Sequence, residues 1–318
     1  MKRREFIGSL MGGVLGVRLG GKDLELLART RRIHHRTAQS APSHKLGRVG
    51  VSTWSFHQYF PSTLESHSKP PKEILALLDF PQMVADRYKV HNLELVAPHF
   101  ASTEQAYIQE LKSRLLRARS HLVNIPLDIK EIRTDGGLSD LDKSVRDNAI
   151  EASMKWIDIA VKLGARSVRC DPGKMNLENL DPTIESYKRL VAYSRPKGIR
   201  VIVENHGIVG STHPEALVKV FKGVNDSYFG SLPDFGNFPD EATRERGLKM
   251  LFPYASTVCH AKGKEFDANG NETQFNFPFC VETSKQAKFR GIYSIEFEGT
   301  GDPYAGVQNV VNELVKYL

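Results

Sequence analysis

The stretch Arg200-Val201-Ile202-Val203-Glu204-Asn205-His206 carries the reading of the fold. Three consecutive β-branched residues read as a strand buried on both faces. The run then meets a carboxylate, an amide and an imidazole in succession. Apolar strands that end in polar groups are characteristic of parallel α/β proteins, where the C-terminal strand ends gather at one functional edge.

Working downstream, the same unit returns three times. Tyr228 to Asp234 precedes a helical pattern through Leu248 and Met250, and Ser256-Thr257-Val258-Cys259-His260 precedes a long loop and a helix near Cys280 to Phe289. Ile292-Tyr293-Ser294-Ile295-Glu296 precedes a helix from about Tyr304 to Tyr317. Upstream, Val49 to Thr53, Leu93 to Val96 and Leu122 to Ile125 lead into helical patterns at Ile74–Tyr88, Glu104–Ala118 and Ser144–Leu163. Ser167 to Cys170 leads into a helix opened by Asp181-Pro182, and the strand at 200–204 leads into one that starts near His213-Pro214. Proline suits a first helical turn, and Gly164 suits the C-cap of the third helix. Eight strand-then-helix units from residue 48 onward predict an α/β single-domain (β/α)₈ TIM barrel over residues 48–318. The alternative, a doubly wound open sheet, calls for a glycine-rich phosphate loop after an early strand. Trp54-Ser55-Phe56-His57 stands there instead.

In this arrangement Glu204, Asp234, His260 and Glu296 close strands five to eight. Three carboxylates and one imidazole aimed at one mouth form a strongly negative site, for which a divalent cation is the natural counterpart. Oxygen-rich ligands with one histidine favour Mn²⁺, with Mg²⁺, Co²⁺ or Zn²⁺ open. Glu94, Arg169 and Asp171 fall at or near strand ends, where a substrate contact and a core ion pair are both open readings. His99 and Trp54 occupy early strand-to-helix loops that suit a polar contact and an aromatic wall for a sugar. Cys170, Cys259 and Cys280 contain no Cys-x-x-Cys pair and read as core thiols.

Composition narrows the class. With 40% hydrophobic and 25% charged residues the chain is an ordinary globular protein, which excludes collagen-like, coiled-coil and wholly disordered readings. The formal charge of +7 is uneven: residues 1–48 hold 11 Lys/Arg against 3 Asp/Glu, so the remaining 33 basic and 34 acidic residues nearly cancel. A folded body near neutrality offers no basic groove for nucleic acid. The opening Met1-Lys2-Arg3-Arg4-Glu5-Phe6-Ile7 and the short apolar, glycine-rich stretch after it resemble a twin-arginine signal peptide. Residues 1–47 are therefore expected to be a leader, with export to the periplasm and no membrane attachment once it is removed. A disordered basic N-terminus on a cytoplasmic protein is the alternative.

Together, Val203-Glu204-Asn205-His206, Asp234-Phe235-Gly236-Asn237, His260-Ala261-Lys262 and Ile295-Glu296-Phe297-Glu298-Gly299 resemble the sugar phosphate isomerase/epimerase family of xylose-isomerase-like TIM barrels. The resemblance runs from about residue 48 to the C-terminus. It implies that Glu204, Asp234, His260 and Glu296 ligate the metal, and that Glu204 and Glu296 exchange a substrate proton through a metal-stabilised enediolate. It also implies that Lys262 contacts substrate or supports the metal ligands. Asn237 stands where related epimerases carry a second histidine, and His206 reaches the mouth from the loop. The implied function is epimerisation or isomerisation of an unphosphorylated sugar or keto-sugar. A keto-sugar or cyclitol dehydratase, an apurinic-site endonuclease-like repair enzyme and a non-catalytic sugar-binding barrel are alternatives. The family's habit of dimerising leaves a homodimer open.

Overall fold

The computed structural model describes residues 43–63 and 73–318; most of the expected leader, residues 1–42, lies outside the described residues. Eight parallel strands form one sheet: β1 Val49–Ser52, β2 Asn92–Glu94, β3 His121–Pro126, β4 Ser167–Arg169, β5 Arg200–Glu204, β6 Phe229–Leu232, β7 Val258–Gly263 and β8 Ile292–Phe297. Neighbours pair in chain order, and β8 returns to pair with β1 in the register Val51 to Ile295. The ring closes between β6 and β7 just beyond β6, where Asp234 bridges His260. The Phe235 N–H donates to the His260 carbonyl (3.1 Å) and the His260 N–H to the Pro233 carbonyl (2.9 Å). The eight-strand barrel predicted from the alternation is thus present.

Eight main helices surround it: α1 Phe80–Tyr88, α2 Gln105–Arg117, α3 Lys143–Leu163, α4 Asp181–Ser194, α5 Pro214–Val224, α6 Glu241–Leu251, α7 Phe277–Gln286 and α8 Pro303–Tyr317. Their starts are written locally. Pro81, Pro182, Pro214, Pro278 and Pro303 sit in first turns, where a missing N–H costs no intrahelical bond. Asp142, Asp240 and Asp302 cap α3, α6 and α8 by accepting from backbone N–H groups. Among the described residues no helix is long and apolar enough to cross a membrane.

Some boundaries move from those expected. The first helix begins at Phe80 rather than Ile74, because Pro81 is tolerated only in a first turn. The seventh begins at Phe277, where the Asn276 side chain accepts from the Phe279 N–H. A six-residue helix, Gly207–Thr212, precedes α5. β7 runs three residues past His260, so Lys262 is a strand residue facing the same side as His260.

Two apolar layers hold the barrel. Between sheet and helices lies a large core that includes Val51, Leu93, Ile125, Val168, Val203, Cys259, Tyr293 and Ile295. Inside the ring Val123, Ile202, Leu232, Val258 and Ile292 form a separate apolar floor. Side chains alternate along a strand. Two residues beyond the floor, Ile202 is therefore followed by Glu204, Leu232 by Asp234 and Val258 by His260 on the same inner face.

Candidate metal centre and active site

Glu204, Asp234, His260 and Glu296 are all buried and offer ligand atoms within 4.8 Å of one another. His260 organises the group. Its Nδ1 lies 3.1 Å from Glu204 Oε1, 3.3 Å from Glu296 Oε2 and 3.4 Å from Asp234 Oδ2. Its Nε2 points the other way, 2.8 Å from Glu94 Oε1. Glu94 is fully buried, and its Oε2 accepts from Asn124 Nδ2 (2.9 Å), whose Oδ1 in turn accepts from Ser167 Oγ (2.8 Å). The carboxylate thus fixes the imidazole ring so that Nδ1 faces the three acids.

Each acid is held differently. Glu204 Oε2 accepts from Arg169 (2.7 Å) and its Oε1 from Asn237 Nδ2 (2.9 Å). Asp234 Oδ1 accepts from the backbone N–H groups of Gly236 and Asn237. Its Oδ2 lies 3.2 Å from Lys262 Nζ, yet it receives no well-directed hydrogen bond despite being buried. Glu296 accepts from Ser52 Oγ (3.3 Å) and from Lys262 Nζ (2.9 Å).

Electrostatics follow from this packing. Burial, reinforced by Glu204 and Glu94, pushes Glu296 up to about 7 against the lowering pull of His260 and Lys262. Burial alone would lower His260, but Glu296, Glu94 and Glu204 together raise it well above the usual histidine range. For Asp234, burial is outweighed by Lys262 and His260, which hold the carboxyl well below its ordinary value.

The cluster fits a divalent ion on three counts. Ligand bonds of about 2.0–2.2 Å put opposite ligands about 4.4 Å apart, so the observed span needs only slight contraction. Asp234 Oδ2 is an orphaned buried acceptor aimed into the cluster. The carboxylates of Glu94, Asp128, Asp171, Glu204, Asp234, Glu296 and Glu298 face at most five cationic side chains, Arg133, Arg169, His206, His260 and Lys262. This excess of negative charge favours a doubly charged cation.

Above the cluster opens a pocket with about 370 Å³ of space, counting its mouth, lined by Trp54, Asp128, Arg133, Arg169, Glu204, His206, Lys262, Glu296 and Glu298. Trp54 forms a wall, its Nε1–H donating to Glu298 Oε1 (2.7 Å). Lys262 Nζ donates to the same oxygen (3.0 Å). His206 lies on the rim, half exposed, with Nδ1 3.0 Å from Asp171 Oδ2. Arg169 joins Asp128, Asp171 and Glu204 in one buried fork.

His99 is placed elsewhere than the mouth. It is buried behind Trp54, stacked on Phe60 at 4.1 Å, with Nε2 3.0 Å from Thr63 Oγ1. It is a support for the aromatic wall rather than a lining residue. The sequence reading missed three lining residues. Asp128 follows the third strand, and Glu298 lies two beyond Glu296, so strand alternation could have marked the latter. Arg133, on a short helix after β3, had no signal in its spacing.

A closed parallel barrel whose C-terminal strand ends converge on three carboxylates and a histidine defines a class: barrels equipped to hold a divalent metal at the mouth. The chain belongs to the family described as Xylose isomerase-like TIM barrel, which matches residues 87–315. Its fold is similar to that of D-allulose 3-epimerase from Methylomonas sp. (13% identity, TM-score 0.64, covering 85% of this chain and 98% of the other). It is also similar to a xylose isomerase domain protein from Planctomyces limnophilus (14%, 0.63, 85% and 96%). A third is a xylose isomerase-like TIM barrel protein from Mycobacterium smegmatis in complex with magnesium (16%, 0.60, 87% and 99%). No curated protein matches the chain.

Proposed function

We propose that this protein is a divalent-metal-dependent epimerase or isomerase that moves a proton on the carbon beside the carbonyl of a sugar or keto-sugar. We propose further that it is exported through its twin-arginine-like leader. The observation that carries the activity is the convergence of Glu204, Asp234, His260 and Glu296 beneath an open pocket, with Asp234 Oδ2 receiving no directed hydrogen bond. The family match and the fold shared with an epimerase and a magnesium complex support it.

A divalent ion held by these four residues, Mn²⁺ by preference for this donor set, would polarise a carbonyl and acidify the neighbouring C–H. Glu296 lines the pocket and would take up and return the substrate proton. Ser52 and Lys262 fix its two oxygens. Glu204, held by Arg169 and Asn237, is the second carboxylate within the cluster and would serve the opposite face of the substrate. Trp54 offers an apolar face for sugar C–H groups.

The test is metal analysis of the purified protein together with NMR of keto-sugars in D₂O, with and without chelator. Metal-dependent deuterium uptake beside the carbonyl is expected, and the product separates epimerisation, isomerisation and loss of a β-hydroxyl. Glu296→Gln is expected to abolish exchange while remaining folded, and His260→Ala to reduce bound metal. Exchange that persists in Glu296→Gln overturns the proton-transfer role, and full metal content in His260→Ala removes that residue from the ligand set.

A further inference from the structure

Nearly every charged group lining the mouth is engaged by another. Arg169 is shared by Asp128, Asp171 and Glu204; Lys262 by Asp234, Glu296 and Glu298; Glu298 also by the Trp54 indole. Arg133 is different. Its side chain lines the pocket and is exposed, yet among the described residues no carboxylate lies within 4.0 Å of it and it donates no hydrogen bond. His206 on the same pocket uses Nδ1 for Asp171 and leaves Nε2 without a protein partner among the described residues.

The backbone that carries Arg133 is built to hold it still. The short helix Lys130–Arg133 is anchored by buried Ile132 and closed by the Thr134 N–H and Oγ1, both donating to the Lys130 carbonyl. The loop beyond it is locked to the loop after β4: the Lys174 N–H donates to the Gly136 carbonyl (3.1 Å) and Ser139 Oγ to the Pro172 carbonyl (2.7 Å). This lock needs glycine at two places. Gly137 (φ +58°) and Gly173 (φ +78°) adopt left-handed backbone, and a Cβ at either would collide with the carbonyl of Ile132 or Gly136. A guanidinium with unspent donors, carried on a fixed backbone beside a ligand pocket, can grip an oxyanion through two N–H groups.

We propose that the mouth contains an oxyanion subsite centred on Arg133, with His206 on the same rim, and that the substrate is a keto-sugar bearing a terminal carboxylate or phosphate. The inference rests on the enolising reading of this site and narrows its substrate class. The two oxyanions share one chemistry here, and binding measurements separate them.

The experiment uses the full chain loaded with Mn²⁺ and three six-carbon probes: D-fructose, 2-keto-D-gluconate and D-fructose 6-phosphate. Calorimetry at low ionic strength should show the acid or the phosphate binding at least ~10-fold more tightly than D-fructose, about 1.4 kcal/mol. Whichever anion binds more tightly identifies the oxyanion. In Arg133→Gln the preference should shrink to within about twofold while D-fructose affinity and metal content stay as in the wild type, and Arg133→Lys should retain part of the preference as a point charge. Equal binding of neutral and anionic probes, a preference that survives Arg133→Gln, or no binding of either anion overturns the subsite. Deuterium exchange on the same samples reports separately: exchange without charge preference overturns only the subsite, and preference without exchange overturns only the enolising reading.

Discussion

Replacing Glu94 tests whether a residue that touches neither solvent nor the pocket controls the metal centre. Its Oε1 lies 2.8 Å from His260 Nε2 and its Oε2 2.9 Å from Asn124 Nδ2, in a fully buried setting. Glu94→Leu conserves bulk but strands two buried donors, each costing about 1–3 kcal/mol, with the imidazole at the upper end. The chelator-treated protein should therefore lose about 3–5 kcal/mol of stability. Glu94→Gln is milder. Its amide oxygen can still accept from His260, and the Asn124 amide can turn over because the Ser167 hydroxyl can accept as readily as it donates. That variant should lose about 1 kcal/mol.

The same geometry sets metal affinity. With Glu94 absent the imidazole is free to rotate Nδ1 away from Glu204, Asp234 and Glu296. Outer partners of ligating histidines contribute about 10–100-fold in affinity. Mn²⁺ titration of stripped protein should accordingly weaken by about 10-fold in Glu94→Gln and about 100-fold in Glu94→Leu. Urea denaturation in chelator and calorimetric titration measure the two effects independently. A Glu94→Leu protein that binds Mn²⁺ as tightly as the wild type would falsify the claim that this carboxylate orients His260.

Arg169→Met leaves Asp128, Asp171 and Glu204 without their shared cation, and all three side chains are at most 15% exposed. A loss of about 3–5 kcal/mol by denaturant titration is expected, and a loss below about 1 kcal/mol would show that these acids have other compensation. His99 gives the pH dependence. Burial, with His57 nearby, lowers it to about 3, so between pH 6.5 and 3 the unfolded chain binds the extra proton and stability falls as pH falls. At pH 5 the penalty is about 2 kcal/mol. His99→Phe, which keeps a ring against Phe60 and Trp54, should lose less stability than the wild type between pH 7.5 and 5 in chelator. Parallel pH profiles for the two proteins would remove His99 as the source.

All eight strands were legible because each carries a short apolar run; a polar residue marks the end of β1, β2, β4 and β5, whereas β7 and β8 continue past His260 and Glu296. The candidate ligands were legible as a group for a related reason: Glu204, Asp234, His260 and Glu296 each break such a run, and the structure brings them together. Partnerships were less legible. Glu94 lies 166 positions from His260, and their contact exists only because the closed ring directs residues from β2 and β7 inward. The ambiguity at Arg169, substrate contact or ion pair, could be decided only once Asp128 and Asp171 were seen on either side of it. His99 misled because a histidine in a strand-to-helix loop looks the same in sequence whether it faces the mouth or stacks behind Trp54. The expected strand stopped at His260, which left Lys262 beyond it. Here the strand continues through it, since Asp234, Glu296 and Glu298 satisfy its ammonium.

The inner face of the barrel therefore changes character with height, and the change explains why the site is rigid. At the floor, Val123, Ile202, Leu232, Val258 and Ile292 pack without polar atoms. Above them Ser167, Asn124 and Glu94 form a hydrogen-bonded layer, and above that the acids, His260, Lys262 and Arg169 interlock. Charges this deep are tolerated only when each is paired, so removing one leaves its neighbours uncompensated. The interlocking holds the four candidate ligands within one ion's reach. At the rim, Arg133 and His206 keep donors free to meet whatever enters.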